Sequence, residues 1–214
     1  MIGRILRGGA AAVALLVTTA VAPPSAEATS FAPLTIEQFT DASTWIVEGE
    51  VQRIWTDIDD RGLVWTHSEV ALSTVHKGLS VPDSLVVDSL GGRVGDYVTH
   101  VPGQAVFSQG ESVFLFLDAT GDHLVPVSKF LGKFTLRRAT GETRQHAMNW
   151  HPSPGEIFDH RFLPHPAPEH RLYADDLRER VQQRLDRGWD GQPIPGISMD
   201  RLREVNTIER RMPR

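Results

Sequence analysis

The sequence predicts an all-β domain, folded as a small barrel or sandwich, and three features support this fold class. Leu63–Gly78 alternates in polarity over a length that suits a long strand with one buried face. Glu111–Leu117 is a continuous apolar run that is too short for a helix and is typical of a strand covered on both faces. Five or six strand-like segments follow one another at short spacing, with little helix between them. Together these features indicate a β domain that begins after the N-terminal leader and ends near Arg138.

A short helix and several further strands are predicted around the long strand. Thr35 and Gln38 form a capping-box pattern, which predicts a short helix through about Ala42. The other predicted strands are Trp45–Trp55, Ser84–Ser89, Leu124–Val127 and Gly132–Leu136, with a weak hairpin inside residues 93–110. Gly49 lies inside the first of these strands, where glycine often marks a bend or a close backbone approach.

The composition changes after Arg138. Residues 139–171 contain five prolines and five histidines with no clear period, so we predict an irregular arm lying over the β domain. Residues 172–188 predict a helix from about Ala174 to Arg187, which presents a narrow apolar stripe for docking and stops at Gly188. The tail, residues 189–214, favours partial disorder around a short helix capped by Ser198.

The first 28 residues have the pattern of a secretory signal peptide. Arg4 and Arg7 form a positive start, Gly8–Ala22 is a short apolar run, and Ala26-Glu27-Ala28 is a small-residue cleavage motif. Cleavage is therefore predicted after Ala28, which gives a secreted or periplasmic protein. No later segment approaches the length of a membrane span.

Charge and cysteine content exclude several classes of function. The leader carries two arginines and one glutamate, so its removal changes the formal net charge from −5 to −6. An acidic protein is a poor candidate for nucleic-acid binding, which depends on basic patches. The chain has no cysteine, which excludes a disulfide framework, a thiolate metal site and a cysteine nucleophile.

The order of motifs resembles a group of uncharacterised exported bacterial proteins. The motifs with the highest specificity are Lys77-Gly78, Gly91-Gly92, Pro102-Gly103 and Gly110-Glu111, followed by the strand Phe114–Leu117. The resemblance covers roughly residues 34–137. It implies an OB-like Greek-key barrel of five to six strands, akin to the netrin-like domain of tissue inhibitors of metalloproteinases. On this basis residues 29–138 form the barrel, with a short N-terminal helix and a C-terminal helix packed on it.

The chain departs from those inhibitors at its N-terminus. The inhibitors act through an N-terminal cysteine that chelates the protease zinc and is held by disulfides. Here the predicted mature chain begins Thr29-Ser30-Phe31, and there is no cysteine to hold it. Inhibition by that mechanism is therefore not carried over to this protein.

Catalytic motifs do not support an enzyme. The sequence contains no G-x-S-x-G elbow, no H-E-x-x-H and no G-x-x-x-x-G-K-[ST]. Gly91–Gly95 is glycine-rich, but it follows a strand without opening a helix and is interpreted as a tight turn. A hydrolase with an unrecognised site is the remaining enzymatic alternative.

The histidines of the arm suggest a metal-binding alternative. Imidazole is the commonest neutral metal ligand, so an exported protein without thiols could hold zinc or copper through such residues. The candidate ligands are His160, His165 and His170, and the arm also contains His146 and His151. A five-residue spacing does not place neighbours on one face of a helix or strand, so a solvated arm without a metal is the favoured interpretation.

The candidate partner site is the turn between the first two strands. Trp55 and Trp65 flank this turn, which contains Asp57, Asp59 and Asp60. The acidic residues fail the EF-hand pattern at its later ligand positions and suit a hairpin turn. Two interpretations stay open for the tryptophans, a cross-strand pair that fixes the register or a partner-binding surface with a preference for basic partners.

The sequence therefore predicts a non-enzymatic exported binding module without a cofactor. Its partner would be a protease or another exported protein.

Overall fold

A computed structural model describes residues 33–79, 82–150 and 171–208, together with the backbone of two short strands at 157–158 and 164–165. The described part is mostly β, with one antiparallel sheet of eight strands and three α-helices. The strands are β1 Trp45–Ile58, β2 Val64–Lys77, β3 Ser84–Leu90, β4 Gly92–Val94, β5 Tyr97–Thr99, β6 Ser112–Thr120, β7 His123–Pro126, β8 Lys133–Arg137, β9 His146–Met148, β10 Ile157–Phe158, β11 Pro164–His165 and β12 Arg171–Tyr173. The helices are α1 Ile36–Ala42, α2 Ala174–Arg187 and α3 Met199–Ile208.

The predicted mostly β character is confirmed, and the predicted elements are present. The capping box forms as expected, since the Thr35 hydroxyl accepts from the Gln38 backbone and the Gln38 side chain accepts from Thr35. Residues 93–110 do contain a hairpin, formed by β4 and β5. The first strand is longer than predicted, because β1 continues past Trp55 to Ile58 as the partner of β2.

The central strand of the sheet has two buried faces. β6 pairs with β1 on one side and with β8 on the other. Phe114 and Phe116 point into a core shared with the three helices, whereas Leu115 and Leu117 point into a second core built on β1, β2 and β3. The apolar run of residues 114–117 is therefore covered on both faces, as the sequence predicts.

The sheet curls, but a closed barrel is not shown. Its order is β12-β9-β8-β6-β1-β2-β3, with β7 paired to β6. A hydrogen bond between the side chains of Asp88 and His123 connects β3 with β7, and no backbone ladder joins these two strands in the part of the chain described. The close backbone approach expected at Gly49 is present. The register shifts between Glu48 and Gly49, and a Cβ on Gly49 would meet the Ala71 carbonyl and lie 2.7 Å from Val70 Cγ1.

The helix α2 has the predicted bounds and packs against α1. Ala174, Leu177 and Val181 are buried, and Gly188 ends the helix with a φ of 71°. The predicted apolar stripe accounts for only part of the contact between α2 and the rest of the fold. Arg178 and Arg184 reach back to buried carboxylates in β1 and α1, which sequence periodicity does not indicate.

The C-terminal region adds more ordered structure than the sequence suggests. Leu202 and Val205 of α3 are buried, and Ser198 Oγ accepts a hydrogen bond from the Arg201 backbone, as the predicted cap requires. β9 falls inside the predicted irregular arm, yet it extends the sheet by pairing with β8 and β12. None of the helices in the described residues has the length and apolarity needed to cross a membrane.

Candidate functional site

The end of the β1–β2 hairpin is the best candidate site, because it extends beyond the sheet's central strand. β6 pairs with β1 only over residues 45–50, so the rest of β1 has β2 on one side. Trp55 lies opposite His67, and Asp57 lies opposite Trp65. The β4–β5 hairpin supports this end, where Thr56 Oγ1 donates to the Arg93 carbonyl at 2.6 Å and Gly92 lies close to Thr66.

Asp59 makes the turn rigid. Its Oδ1 accepts hydrogen bonds from the backbone of Arg61 at 2.9 Å and of Leu63 at 2.8 Å. Its Oδ2 accepts from the Trp65 indole at 3.2 Å. The hydrogen bond from the Leu63 backbone makes the largest contribution to the pKa shift of the Asp59 carboxyl, and it lowers this pKa. Asp59 therefore shapes the turn and has little capacity left for a partner, whereas Asp57 and Asp60 are exposed.

Each tryptophan stacks on a histidine. The Trp55 and His67 rings are 5.2 Å apart between centroids, and the Trp65 and His123 rings are 3.7 Å apart. The Arg53 guanidinium also lies 4.4 Å from the Trp55 ring. Both indoles are half-buried, so they help to support the hairpin end. Through the stacked histidines, Trp55 contacts β2 and Trp65 contacts β7.

These histidines belong to a chain of four side chains, here called the histidine cluster: Asp57, His67, Asp88 and His123. Asp88 is only 6% exposed and bridges the two rings, at 2.7 Å from His67 Nδ1 and 2.9 Å from His123 Nδ1. His67 Nε2 lies 3.0 Å from Asp57 Oδ1. The cluster lies on the face of the sheet opposite to the core residues Val70 and Val87.

Sequence reasoning identified Asp57 but missed the other three members of the histidine cluster. A partial signal was present for His67, which lies on the polar face of the alternating strand β2, whereas Asp88 lies in a strand that does not alternate. Their meeting depends on the register of β2 and β3, which pairs His67 directly with Asp88, and on the position of β7. Residues this far apart in sequence give no local indication of contact.

Two apolar side chains are exposed at the hairpin end. Ile58 and Leu63 flank the turn and are 43% and 41% exposed. Asp57 and Asp60 lie beside them and are also exposed. An apolar pair between acidic residues on a rigid turn is suited to contact with another molecule.

The predicted metal ligands are not brought together by any described contact. His160 and His170 lie outside the described residues, and His165 is described only as backbone in β11. His146 lies in β9, where it contacts the Glu142 carboxylate and packs 4.9 Å from the Tyr173 ring. Over the described ranges, no group of three or more His, Asp or Glu side chains has the geometry to hold a metal ion.

A second polar cluster bears on the hydrolase alternative. Lys133 is buried and donates to the Val106 carbonyl and to Glu111 Oε1, both at 2.7 Å. Burial lowers the pKa of Lys133, against the opposing effect of Glu111. The Thr135 hydroxyl donates to the same carboxylate. The ammonium and the hydroxyl both donate to Glu111, so the arrangement is a buried ion pair that holds the 106–111 loop on β8.

Comparison with known proteins gives no relative. No protein-family model, no curated protein and no solved structure matches this chain.

Proposed function

We propose that this protein is a non-enzymatic exported binding module, which recognises another exported protein through the end of its β1–β2 hairpin. The observation that carries the proposal is the exposure of Ile58 and Leu63 on either side of a turn that Asp59 holds rigid. Preorganised apolar groups favour binding, because ordering them on association costs little. The exposed Asp57 and Asp60 favour a partner with a basic surface.

The strand arrangement supports an OB-like form of the β domain. β6 returns to pair with β1, and β7 pairs with the end of β6 and contacts β3 through a side-chain hydrogen bond, as in a partly open Greek-key barrel. Barrels of this kind bind ligands at the loop between their first two strands. In this protein that loop is the turn between β1 and β2. A protease is one candidate partner, in view of the resemblance to the metalloproteinase inhibitors.

The first prediction concerns the interface. We expect the double substitution Ile58→Ser and Leu63→Ser to reduce partner capture at least tenfold, since truncating a hot-spot residue costs about 2 kcal/mol or more and a tenfold loss requires about 1.4 kcal/mol. The experiment captures partners of tagged mature protein from the exported fraction of the source organism, followed by titration of the captured protein. Trp55 and Trp65 are poorer probes, because their rings also pack on the histidines.

The matched control is Val75→Ser. Val75 lies on β2 and is 44% exposed, but it is opposite Val47 at the far end of the hairpin. We expect it to leave capture unchanged. If the folded Ile58→Ser and Leu63→Ser protein captures the partner normally, the hairpin end is not the interface.

The second prediction concerns export. We expect the mature protein to begin at Thr29, because Ala26-Glu27-Ala28 matches the small-residue pattern of signal-peptide cleavage. N-terminal sequencing or intact mass of material recovered outside the cytoplasm measures this directly. An intact Met1 or a start within β1 would contradict the proposed leader.

A further inference from the structure

The histidine cluster requires a charged imidazole at its centre. His67 presents Nδ1 to Asp88 and Nε2 to Asp57, at 2.7 and 3.0 Å. A neutral imidazole has one N–H donor and one lone pair, so it would turn a lone pair toward one of these carboxylates. Only the imidazolium donates to both. The observed contacts are therefore those of doubly protonated His67.

The buried carboxylate of Asp88 also requires a positive charge on His67. The Asp88 side chain is 8% exposed, and a buried anion is stable only when it is paired and hydrogen-bonded. Its two oxygens are occupied by His67 and His123. A positive charge on His67 neutralises Asp88 where solvent cannot reach it.

Other charged groups around His67 are already paired. On β1, Arg53 lies 3.2 Å from Glu69 of β2. The turn carboxylate Asp59 is held by Trp65, which in turn stacks on His123 of β7. Among the described residues, the charged groups that contact the His67 ring are therefore Asp57 from β1 and Asp88 from β3.

We propose that His67 is a proton-operated clasp. While it is doubly protonated it joins Asp57 of β1 to Asp88 of β3, and loss of one proton as the pH rises releases Asp57 and loosens the β1 side of the hairpin end. Asp57 is the contact that is lost, because its side chain is 58% exposed and water can solvate it, whereas Asp88 is buried. The clasp would regulate the binding site of the proposed function, and to that extent it rests on that function.

The direction of the pH effect follows from the surroundings. Burial lowers the pKa of His67, but the hydrogen bonds to Asp57 and Asp88 outweigh burial and raise this pKa above 6.5. A group whose pKa is raised on folding contributes its stabilisation below the unfolded value, and that contribution is lost as pH rises through the folded value. The clasp is thus closed below about pH 6.5 and opens above the folded pKa.

The test uses the free mature protein. We expect the imidazole NMR signals of His67 to titrate above pH 6.5 and Asp57→Asn to move that midpoint down by about half a pH unit, because one anionic partner is removed. Amide hydrogen exchange at the hairpin end, corrected for intrinsic exchange, should accelerate with the same midpoint. Asp60→Asn is the matched control, since it removes an exposed acid of the same turn and should leave the midpoint unchanged.

The proposal is overturned if His67 titrates at or below pH 6.5, if Asp57→Asn leaves the midpoint in place, or if exchange at the hairpin end does not follow the titration. These measurements need no partner. Loss of capture by the Ile58→Ser and Leu63→Ser protein therefore tests the binding function separately from the clasp.

Discussion

Replacing Arg178 with alanine is expected to destabilise the fold by about 3 kcal/mol, because it leaves a buried carboxylate with an incomplete set of partners. The Arg178 guanidinium binds both oxygens of Glu48, at 2.7 and 2.6 Å, and the Glu48 side chain is only 6% exposed. His76 is a further partner of Glu48, at 2.7 Å. Chemical denaturation of wild type and variant measures the difference in the free energy of unfolding.

The same helix provides a matched control. Arg180 binds both oxygens of Glu37 at 2.8 Å, with the same fork geometry, but these side chains are 44% and 40% exposed. Exposed pairs contribute roughly 0–1 kcal/mol, so Arg180→Ala should be nearly neutral. Equal losses in the two variants would show that burial of Glu48 does not decide the effect.

The Glu48 pair also predicts how stability depends on acid. Burial raises the pKa of Glu48, but the bonds from Arg178 and His76 outweigh it and lower the pKa from 4.5 to about 2. A carboxyl with a depressed pKa stabilises the fold above its unfolded value, and this stabilisation is lost as pH falls toward the folded value. We therefore expect wild-type stability to fall between pH 4.5 and about 2, and Arg178→Ala to show a shallower fall over this range.

Local chemistry explains which parts of the fold could be predicted. The alternation in β2 and the continuous apolar run in β6 reflect how many faces of a strand are buried, and both can be read along a short window. The capping box of α1 and the stop of α2 at Gly188 are likewise set by neighbouring residues. These elements were predicted to within a few residues.

The remaining features depend on residues far apart in the chain. Glu48 and Arg178 are separated by 130 positions, and their pairing is set by where α2 docks. Asp88 meets His123 only because β7 turns back beside β3. Hydrophobic periodicity shows which face a side chain occupies, but not which partner it meets there. For this reason the turn was found from sequence and the histidine cluster was not.

The strands β9 and β12 were missed for a related reason. Each has only three residues, which is too short for a period to be recognised. β9 forms by adding to the edge of β8, where a backbone ladder is already available, and β12 then adds to β9. The composition around them, rich in proline and histidine, favoured an irregular arm.

Shortening Phe116 to alanine should destabilise the protein by about 3–5 kcal/mol, the range for buried phenylalanine. Phe116 is fully buried in β6, and its ring lies 5.3 Å from Phe39, 5.2 Å from Phe114 and 5.9 Å from Phe134. These neighbours come from α1, β6 and β8, so the cavity would open at the junction of the helical layer and the sheet. Because the surrounding strands are hydrogen-bonded on both sides, the cavity cannot easily collapse.

Tyr97→Ala is the control for loss of an aromatic ring. Tyr97 lies on β5 and is 71% exposed, so its removal should change stability by less than about 0.5 kcal/mol. Chemical denaturation measures the free energy of unfolding of the two variants. The values can be compared directly when the slope of this free energy against denaturant concentration is the same for both. A loss below about 0.5 kcal/mol for Phe116→Ala would mean that β6 is not the central, doubly covered strand, and the separation of the helical core from the β core would then have to be abandoned.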